Sequence, residues 1–369
     1  MLANSAWKFS EDDMVSNKVK IGFIGAGWWA TSNHLPILVD RDDVEMVGVC
    51  RLGQTELKQV QERFGFAYAT EDYRKLLNDC ELDGVVVASP HTLHHEHALA
   101  ALDAGLHVMC EKPMTTRAHH ARKLVNRARE KGRHLLVPYG WHYKSFVQRA
   151  KELLDASSVG TIEYVLCHMA SPVRTLLSGQ EFDTGADSGS SGPGVFEPDL
   201  STWSDPVKSD GGYGHAQLSH ALGMLFWITG LRAKSIFALM SGPGAEVDLY
   251  DAMTVRFDAG AIGTFSGSGS IPVGQGFQVD LRIFGDEGML LLDCERARME
   301  LIRHDGGSES VDLEPNAGAY ACTDPPKNFV DLISGATEVN YAPGEVAMRS
   351  VEVLDAAYRS SVSGKEEDV

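Results

Sequence analysis

The sequence lacks long apolar runs, paired cysteines and an excess of positive charge. It has no stretch of about 18 uninterrupted apolar residues, and residues 1–17 hold no apolar segment of signal-peptide length, so we expect a chain that is neither exported nor membrane-spanning. The 6 cysteines include no C-x-x-C pair, which argues against a disulfide framework or zinc ribbon and favours the reducing cytoplasm. A net charge of -18, from 51 acidic and 33 basic residues, disfavours nucleic-acid and anionic-membrane partners.

The sequence does contain enough apolar material for two folded domains. Hydrophobic residues make up 43% of the chain and charged residues 23%, values typical of globular proteins. A chain of 369 residues exceeds the size of one ordinary hydrophobic core. Its length therefore predicts two domains, separated where the sequence pattern changes.

The pattern up to residue 137 alternates short apolar runs with amphipathic segments. This alternation predicts an α/β fold with a doubly wound parallel sheet, of the Rossmann type. The predicted strands are Val19–Ile24, Val44–Cys50, Gly84–Ala88, His107–Cys110 and His134–Val137. The predicted helices are Glu56–Phe64, Tyr73–Leu77, Leu93–Ala104 and Arg117–Lys131, with Gly65, Gly105 and Gly132 at positions typical of helix C-termini.

The pattern after Pro138 predicts a second α/β domain with a large open sheet. The predicted elements before the sheet are the helix Lys144–Leu154, the strand Thr161–Met169, a loop over about 178–212 and the helix Gly214–Thr229. The further strand candidates are Ala233–Met240, Ala252–Phe257, Ala261–Gly267, Phe277–Phe284, Gly288–Asp293 and Met299–Arg303. Turn signals between consecutive strands predict mostly antiparallel pairing. A helix or two would leave one sheet face uncovered, which predicts a homodimer or homotetramer formed through this sheet.

We therefore divide the chain into an N-terminal tail over 1–17, a Rossmann domain over 18–137 and a substrate-binding and oligomerisation domain over 138–369. A dinucleotide fingerprint supports the Rossmann assignment. Its pattern, G-x-G-x-x-A, is matched directly after the first strand by Gly25-Ala26-Gly27-Trp28-Trp29-Ala30. Gly25 allows the tight turn, Gly27 lets the backbone approach a pyrophosphate and Ala30 permits close helix packing. The first five of these residues are predicted contacts of NAD or NADP, with the phosphates at the N-terminus of the next helix.

Arg51 follows the second predicted strand, where an acidic residue would bind the ribose diol of NAD. An arginine at this position can pair with the 2′-phosphate of NADP or stack on adenine. It therefore allows NADP without excluding NAD, and a solvated surface arginine is the alternative.

Two more motifs follow strands of the first domain. Ser89-Pro90-His91, with His94 three residues on, follows the strand ending at Ala88, and Glu111-Lys112-Pro113 follows the strand ending at Cys110. Together with the fingerprint, in this order, they resemble the Gfo/Idh/MocA oxidoreductases (glucose–fructose oxidoreductase, inositol dehydrogenase and relatives). The resemblance implies a Rossmann domain followed by an open-sheet α/β domain, with hydride transfer between nicotinamide and a sugar or cyclitol carbon. It slightly favours NAD as the cofactor.

The resemblance also assigns roles to single residues. Lys112 is similar to the active-site lysine of the family, and Glu111 and Pro90 to contacts on the nicotinamide side of the cofactor. Ser89, His91 and His94 are likewise expected beside the cofactor. A lysine at the carboxyl end of a strand can hydrogen-bond a substrate hydroxyl and stabilise negative charge that develops on its oxygen.

The segment 211–220 resembles the family's glycine-rich start of the helix that carries a second catalytic group. His220 is our candidate base, because an imidazole with an unperturbed pKa of about 6.5 suits proton transfer near neutral pH. Gln217, three residues earlier, would point into the same cleft as a substrate contact. Many family members have an aspartate one turn before this histidine, where this chain has Ala216. The usual proton relay is therefore in question, and a core histidine is the alternative for His220.

Other residues are candidates for substrate binding. The run Trp141-His142-Tyr143 lies at the domain junction, where aromatic rings commonly stack on sugars, and core packing explains it equally well. Arg174 can meet an anionic group, with a surface charge as the alternative. Trp203 belongs to the loop 178–212, and long loops of this kind often bind ligands.

Four histidines cluster around Glu96, which raises the question of a metal site. They are His91, His94, His95 and His97. We predict no metal, because the resemblance already places His91 and His94 beside the cofactor and His97 faces another side of its helix.

These observations predict an NAD(P)-dependent oxidoreductase that acts on a sugar, a sugar derivative or a cyclitol, with Lys112 and His220 as acid/base groups. Two alternatives stay open. A redox-neutral NAD-dependent glycosidase would oxidise a sugar transiently, eliminate the aglycone and return the hydride. A non-catalytic dinucleotide-binding regulator would bind the cofactor only, although the presence of both Lys112 and His220 argues against it.

Overall fold

Parallel strands form the core of the N-terminal domain. The computed structural model describes residues 18–181, 194–272, 274–311, 313–314 and 316–369. The strands of the first sheet are β1 (Val19–Ile24), β2 (Val44–Cys50), β3 (Tyr68–Thr70), β4 (Gly84–Val87), β5 (His107–Cys110) and β6 (Leu135–Leu136). Neighbouring strands are parallel, in the order β3-β2-β1-β4-β5-β6. Because the order reverses between β1 and β4, the carboxyl ends of these strands form a crevice of the kind in which ligands bind.

Crossover helices join these strands. They are α1 (Leu35–Val39), α2 (Gln54–Phe64), α3 (Tyr73–Asp79), α4 (His94–Asp103) and α5 (Ala118–Lys131). A π-helical turn at Ala30–His34 leads into α1, and a 3₁₀ turn at His91–Leu93 leads into α4. Helices α2 and α5 end at Gly65 and Gly132, whose φ angles of 72° and 61° lie in the left-handed region that favours glycine.

A wide mixed sheet organises the C-terminal domain. Its strands are β7 (Ile162–Ala170), β8 (Ala233–Ser241), β9 (Tyr250–Phe257), β10 (Ile262–Ser268), β11 (Gln278–Gly285), β12 (Gly288–Asp293), β13 (Arg298–Arg303), β14 (Ser308–Val311) and β15 (Glu367–Asp368). They lie in the order β14-β13-β12-β11-β7-β10-β9-β8-β15. Strands β7 and β10 pair in parallel, and the other pairs are antiparallel.

Helices pack on one face of this sheet. The helices after residue 138 are α6 (Ser145–Asp155), α7 (Arg174–Leu177), α8 (Ser201–Ser204), α9 (Pro206–Ser209), α10 (Ser219–Thr229), α11 (Asp324–Ser334) and α12 (Gly344–Ser363). A 3₁₀ turn at Gly140–Tyr143 precedes α6, and a π-helical turn at Gly214–Leu218 precedes α10. Helix α12 lies against β8, where Ile236 and Ala238 are fully buried while Leu239 is 62% exposed on the opposite face.

The two C-terminal helices also complete the core of the first domain. Phe329 of α11 and Ala347 of α12 are fully buried in the cluster built on the parallel sheet. The backbone N–H of Val137 donates to the carbonyl of Ala342 at 2.9 Å. Asp355 of α12 accepts a hydrogen bond at 2.9 Å from the N–H of Ala118, the first residue of α5. The predicted division at residue 137 therefore leaves out part of the Rossmann core, because the chain returns to that domain near its end.

The predicted fold class is confirmed, with a parallel Rossmann sheet and a second, mostly antiparallel sheet. Strand β3 was not predicted, because it is a three-residue edge strand without an apolar run. Helices α11 and α12 and strands β14 and β15 were also not predicted, although Pro343 and Gly364 bound α12 as helix start and stop signals. Within the described ranges, the helices are too short or too polar to cross a bilayer.

Candidate functional site

A cavity of about 520 Å³ lies at the carboxyl ends of β1, β2, β4 and β5. All the predicted cofactor contacts line it: Gly25, Ala26, Gly27, Trp28, Trp29, Arg51, Ser89, Pro90, His91, His94, Glu111 and Lys112. Residues of the second domain line it as well: Pro198, Asp199, Thr202 and Trp203. The sheet therefore brings together residues that are more than 80 positions apart in the sequence, at the crevice where ligands of such sheets bind.

The glycines of the fingerprint shape the floor of this cavity. Gly25 has a φ angle of +88°, and a Cβ atom there would lie 2.5 Å from the backbone of Ala88 and Ser89. A Cβ atom on Gly27 would meet no atom within 4 Å, so this backbone faces open space. A pyrophosphate can therefore approach the peptide at Gly27, as the motif requires.

Glu111 is a buried carboxylate with three donors. Its Oε1 atom lies 2.6 Å from Nε2 of His34 and accepts from the indole N–H of Trp29 at 2.8 Å, while Oε2 accepts from the backbone N–H of Lys112 at 3.0 Å. Burial alone would raise the pKa of Glu111, but the bond with His34 and the charge of Lys112 outweigh it, so the pKa is lowered. The side chain is therefore ionised at neutral pH.

Lys112 extends from the end of β5 towards the second domain. Its side chain is 4% exposed, and Nζ donates to the carbonyl of Ala216 at 2.9 Å. Nζ also lies 5.5 Å from the ring centre of Trp29 and 5.6 Å from that of Trp203. Burial lowers the pKa of Lys112, and the nearby Glu111 opposes that shift. The ammonium is thus held by one backbone carbonyl, two aromatic faces and a neighbouring anion.

His220 of α10 lies among aromatic rings. Its ring centre is 4.9 Å from that of Tyr320, 5.8 Å from that of Trp141 and 5.8 Å from that of Tyr139. Burial, and to a lesser extent the charge of Lys112, hold the pKa of His220 well below its usual value. Nδ1 of this ring has no hydrogen-bond partner among the described residues. His220 is therefore a neutral imidazole that can accept a proton.

Asp248, which the sequence analysis did not identify, fixes the start of the helix that carries His220. Its carboxylate accepts from the N–H groups of Gly212 at 2.7 Å and Gly214 at 2.9 Å, and from the hydroxyl of Tyr358 at 2.9 Å. The π-helical turn that begins at Gly214 presents the carbonyl of Ala216 to Lys112. Asp248 lies 34 positions or more from these glycines, so no local pattern could have indicated it.

The histidines of the Ser89–His97 region bind protein atoms. The two ring nitrogens of His94 lie 2.8 Å and 2.7 Å from the carbonyl oxygens of Pro113 and Ser89. Nδ1 of His97 lies 2.9 Å from the hydroxyl of Ser89. His91 packs edge-on against Trp203 at 5.3 Å, and burial lowers its pKa strongly. These contacts hold His91 and His94 in the wall of the cavity.

Arg51 is bound by the protein itself. Its guanidinium donates to the carbonyl of Ala26 at 2.8 Å and to that of Leu52 at 3.2 Å. The same group lies 4.2 Å from the ring centre of Phe196, and burial lowers its pKa. Of the two interpretations of Arg51, the structure shows a half-buried residue in the cavity wall rather than a solvated arginine.

Several predicted substrate contacts lie outside the lining of this cavity. Trp141 is 2% exposed and donates to the carbonyl of Gly318, and His142 is fully buried and stacked on Trp227. Tyr143 donates to Asn328. These three residues therefore have core contacts, the alternative that the sequence left open.

Three other candidates, Arg174, Gln217 and His220, also lie outside the lining of this cavity within the described ranges. Arg174 is exposed and donates to the carbonyl of Pro243 at 2.9 Å. Gln217 is half-buried in the π-helical turn before α10. Trp203 does line the cavity, on the helix α8 within the predicted loop 178–212, of which residues 182–193 lie outside the described residues.

Sequence models of one family match both domains. A model of an oxidoreductase family with an NAD-binding Rossmann fold, Gfo/Idh/MocA, matches residues 19–139, and a model of the family's C-terminal domain matches residues 147–291. The chain belongs to the Gfo/Idh/MocA family. The family predicted from Glu111-Lys112-Pro113 and the fingerprint is confirmed, as is an NAD-binding Rossmann fold for the N-terminal domain.

Similar proteins act on sugars. D-glucoside 3-dehydrogenase of Escherichia coli is 33% identical over 40% of this chain and 42% of its own length. Levoglucosan dehydrogenase of Pseudarthrobacter phenanthrenivorans is 27% identical over 64% of this chain and 62% of its own length. This chain thus spans less than two thirds of these curated relatives.

Solved structures share the whole fold at low identity. GenD2 from gentamicin A biosynthesis, in complex with NAD, has a TM-score of 0.72 and 22% identity, over 99% of each chain. Levoglucosan dehydrogenase in complex with NADH and L-sorbose has a TM-score of 0.74 and 18% identity, over 96% of this chain and 99% of that one. These similarities establish the architecture of both domains.

Gly25→Ala should abolish tight dinucleotide binding. The added Cβ atom would collide with the backbone at Ala88 in addition to straining the left-handed φ angle, which by itself costs about 1–2 kcal/mol. Gly65→Ala is the matched control, since Gly65 has a φ angle of +72° but no neighbour within 4 Å of the added atom. Titration of NADH by fluorescence should show at least about a tenfold loss of affinity for the first variant only. Equal affinities would contradict the assigned role of Gly25.

Proposed function

We propose that this protein is an NAD-dependent oxidoreductase that transfers hydride between nicotinamide and a hydroxyl-bearing carbon of a sugar, a sugar derivative or a cyclitol. The observation that carries the proposal is the buried Lys112 at the end of β5, next to the ionised Glu111 and beside the cavity of the fingerprint. The sugar dehydrogenases among the relatives support this substrate class.

The cavity fits a nicotinamide dinucleotide. The open space above Gly27 would receive the pyrophosphate, and Glu111, Pro90 and Lys112 would lie at the nicotinamide end. When bound, the dinucleotide accepts or supplies the hydride. The remaining chemistry is proton transfer and charge stabilisation by the protein.

The residues at the end of the cavity where adenosine would lie favour NAD over NADP. Arg51 already donates to two backbone carbonyls and lies against Phe196, so it is not available to a 2′-phosphate without losing those contacts. Glu71 lines the same end of the cavity, and hydrogen bonds from Gln54 and the N–H of Gly53 lower its pKa. Its negative charge would repel a 2′-phosphate.

The acid/base roles follow from the protonation states of His220 and Lys112. Neutral His220 would take the proton of the substrate hydroxyl when the carbon is oxidised. The ammonium of Lys112 would donate a hydrogen bond to the same oxygen and stabilise its developing negative charge. In the direction of reduction, the two groups would act in reverse.

A redox-neutral glycosidase is the second candidate. The second domain adds a wall to the cavity, formed by Pro198, Asp199, Thr202 and Trp203, which would hinder exchange of the cofactor. This wall favours the glycosidase, because a reaction that returns its hydride to the substrate needs no exchange of cofactor. Ala216 also offers Lys112 a carbonyl in place of the aspartate common in the family. Release of the aglycone from a glycoside without net reduction of NAD would distinguish this reaction from a dehydrogenase.

Lys112→Ala should lower kcat/KM for sugar oxidation by roughly 10²–10³, since it removes a donor to the transition-state oxygen. The measurement is absorbance of reduced nicotinamide with NAD or NADP and a panel of neutral sugars and cyclitols. Lys123→Ala, which changes an exposed lysine of α5, is the control. Turnover of Lys112→Ala within about threefold of the parent on every active substrate would contradict the assignment.

The pH profile of kcat/KM should be displaced towards acid on both sides. Lys112, His142 and the rings of Tyr139, Trp141 and Tyr320 surround His220, and burial keeps its pKa below 6.5, so the base form persists into mildly acidic solution. The pKa of Lys112 is lowered from 10.5, so its cation is lost earlier as the pH rises. Initial rates between about pH 4.5 and 10.5 measure both limbs. An acidic limb at or above 6.5 would exclude His220 as the base.

We further propose a homodimer or homotetramer formed through the outer face of the nine-stranded sheet, which the described residues leave without helices. Apolar side chains point outward there, including Leu239 (62% exposed), Ile262 (50%) and Phe237 (36%). Light scattering should give a mass of two or four times 40.1 kDa. Leu239→Lys should reduce that mass, whereas Val362→Lys, an exposed change on α12, should not. A parent protein with the mass of one chain would refute the proposal.

A further inference from the structure

We infer that the segment 194–210 of the second domain completes the dinucleotide site on the side away from the fingerprint and slows release of the cofactor. The inference rests on the proposed function only in taking the ligand to be a nicotinamide dinucleotide. The segment adds a wall that the fingerprint does not contain, and we assign Phe196 a role in holding the adenosine end of the cofactor.

The segment is attached to the Rossmann domain at both ends. At its start, the N–H of Val195 donates to Oγ1 of Thr31, in the π-helical turn after the fingerprint, at 3.3 Å. At its end, Asp210 pairs with Arg117 at 2.8 Å, and the carbonyl of Lys208 accepts from the hydroxyl of Thr92 at 3.2 Å. The segment therefore crosses the mouth of the crevice between the carboxyl ends of the strands.

Side chains of this segment contact residues that line both ends of the cavity. Phe196 stacks on the guanidinium of Arg51 at 4.2 Å, on the side where the fingerprint predicts adenosine. Trp203 lies 5.3 Å from the ring of His91 and 5.6 Å from Nζ of Lys112, on the side where it predicts nicotinamide. Pro198, Asp199 and Thr202 line the cavity between them.

The segment has internal structure that keeps it in place. The carboxylate of Asp199 accepts from the N–H and hydroxyl of Ser201, and Nζ of Lys208 reaches that hydroxyl as well. Asp205 caps helix α9 through the N–H of Val207 at 2.9 Å. Release of the cofactor would require this structured wall to separate from Thr31, Thr92 and Arg117, and local opening of this kind limits dissociation.

The test is the dissociation rate of NADH from the full-length protein. Protein loaded with NADH is passed through a desalting column and mixed with excess NAD, and the decay of bound-NADH fluorescence gives the rate. Phe196→Ala should raise the rate roughly tenfold, because the segment loses the cation–π contact that joins it to Arg51 in the cavity wall. Phe196→Tyr should restore the parent rate. Val207→Ala, at an 81% exposed position of the same segment, should leave it unchanged.

Three outcomes would overturn the inference. The parent could lose its NADH on the desalting column, Phe196→Ala could dissociate at the parent rate, or Phe196→Ala could bind NADH more tightly. The last result would mean that Phe196 occupies the place of adenine. Circular dichroism of each variant shows whether the fold is kept, and Phe196→Tyr tests the role of the ring if Phe196→Ala fails to fold. Because NADH release needs no sugar, retention of NADH without turnover of any sugar would refute the proposed function alone.

Discussion

The structure of the site depends on the burial of one positive charge, that of Lys112. Removing an ammonium from water costs several kcal/mol unless hydrogen bonds and counter-charges replace the solvent. Here the replacement comes from both domains: the carbonyl of Ala216 belongs to the second, while Glu111 and Trp29 belong to the first. The two domains must therefore pack in one relative position for the charge to be stabilised. The hydrogen bond from Lys112 to the carbonyl of Ala216, which offsets the cost of burying the charge, thus also fixes the distance between the cofactor cavity and the helix of His220.

The protonation states around that charge follow from a difference in surroundings. Glu111 has three donors within 3.0 Å, so it keeps its charge although it is buried. His220 is packed against aromatic rings, and the nearby charge of Lys112 disfavours a second cation. One buried group is therefore stabilised as an ion and the other as a neutral base. Both pKa values are lowered, which leaves one group anionic and the other neutral, and perturbed pKa values of this kind are typical of sites that move protons.

Sequence reasoning reached as far as local motifs allow. The turn at Gly25 and the ends of β4 and β5 follow from short patterns, so many of the residues with which the first domain lines the cavity could be named from the sequence, whereas Glu71 and Tyr73 could not. Asp248 and Phe196 could not be predicted, because each acts on residues far away in the chain. For Trp141, sequence alone could not separate a sugar contact from core packing. Its core contacts come from residues far away in the chain, among them Tyr320 and the carbonyl of Gly318.

Two π-helical turns, at Ala30–His34 and Gly214–Leu218, interrupt the regular helical pattern near the site. An inserted residue shifts every following side chain around the helix axis, so an i, i+3 pair such as Gln217 and His220 no longer follows regular α-helical spacing. The two turns contact neighbouring buried charges, since the first supplies His34 to Glu111 and the second supplies the carbonyl of Ala216 to Lys112. The irregular turns therefore occur where the helices must direct polar groups towards buried charges, and π-helical turns are often found at functional sites for this reason.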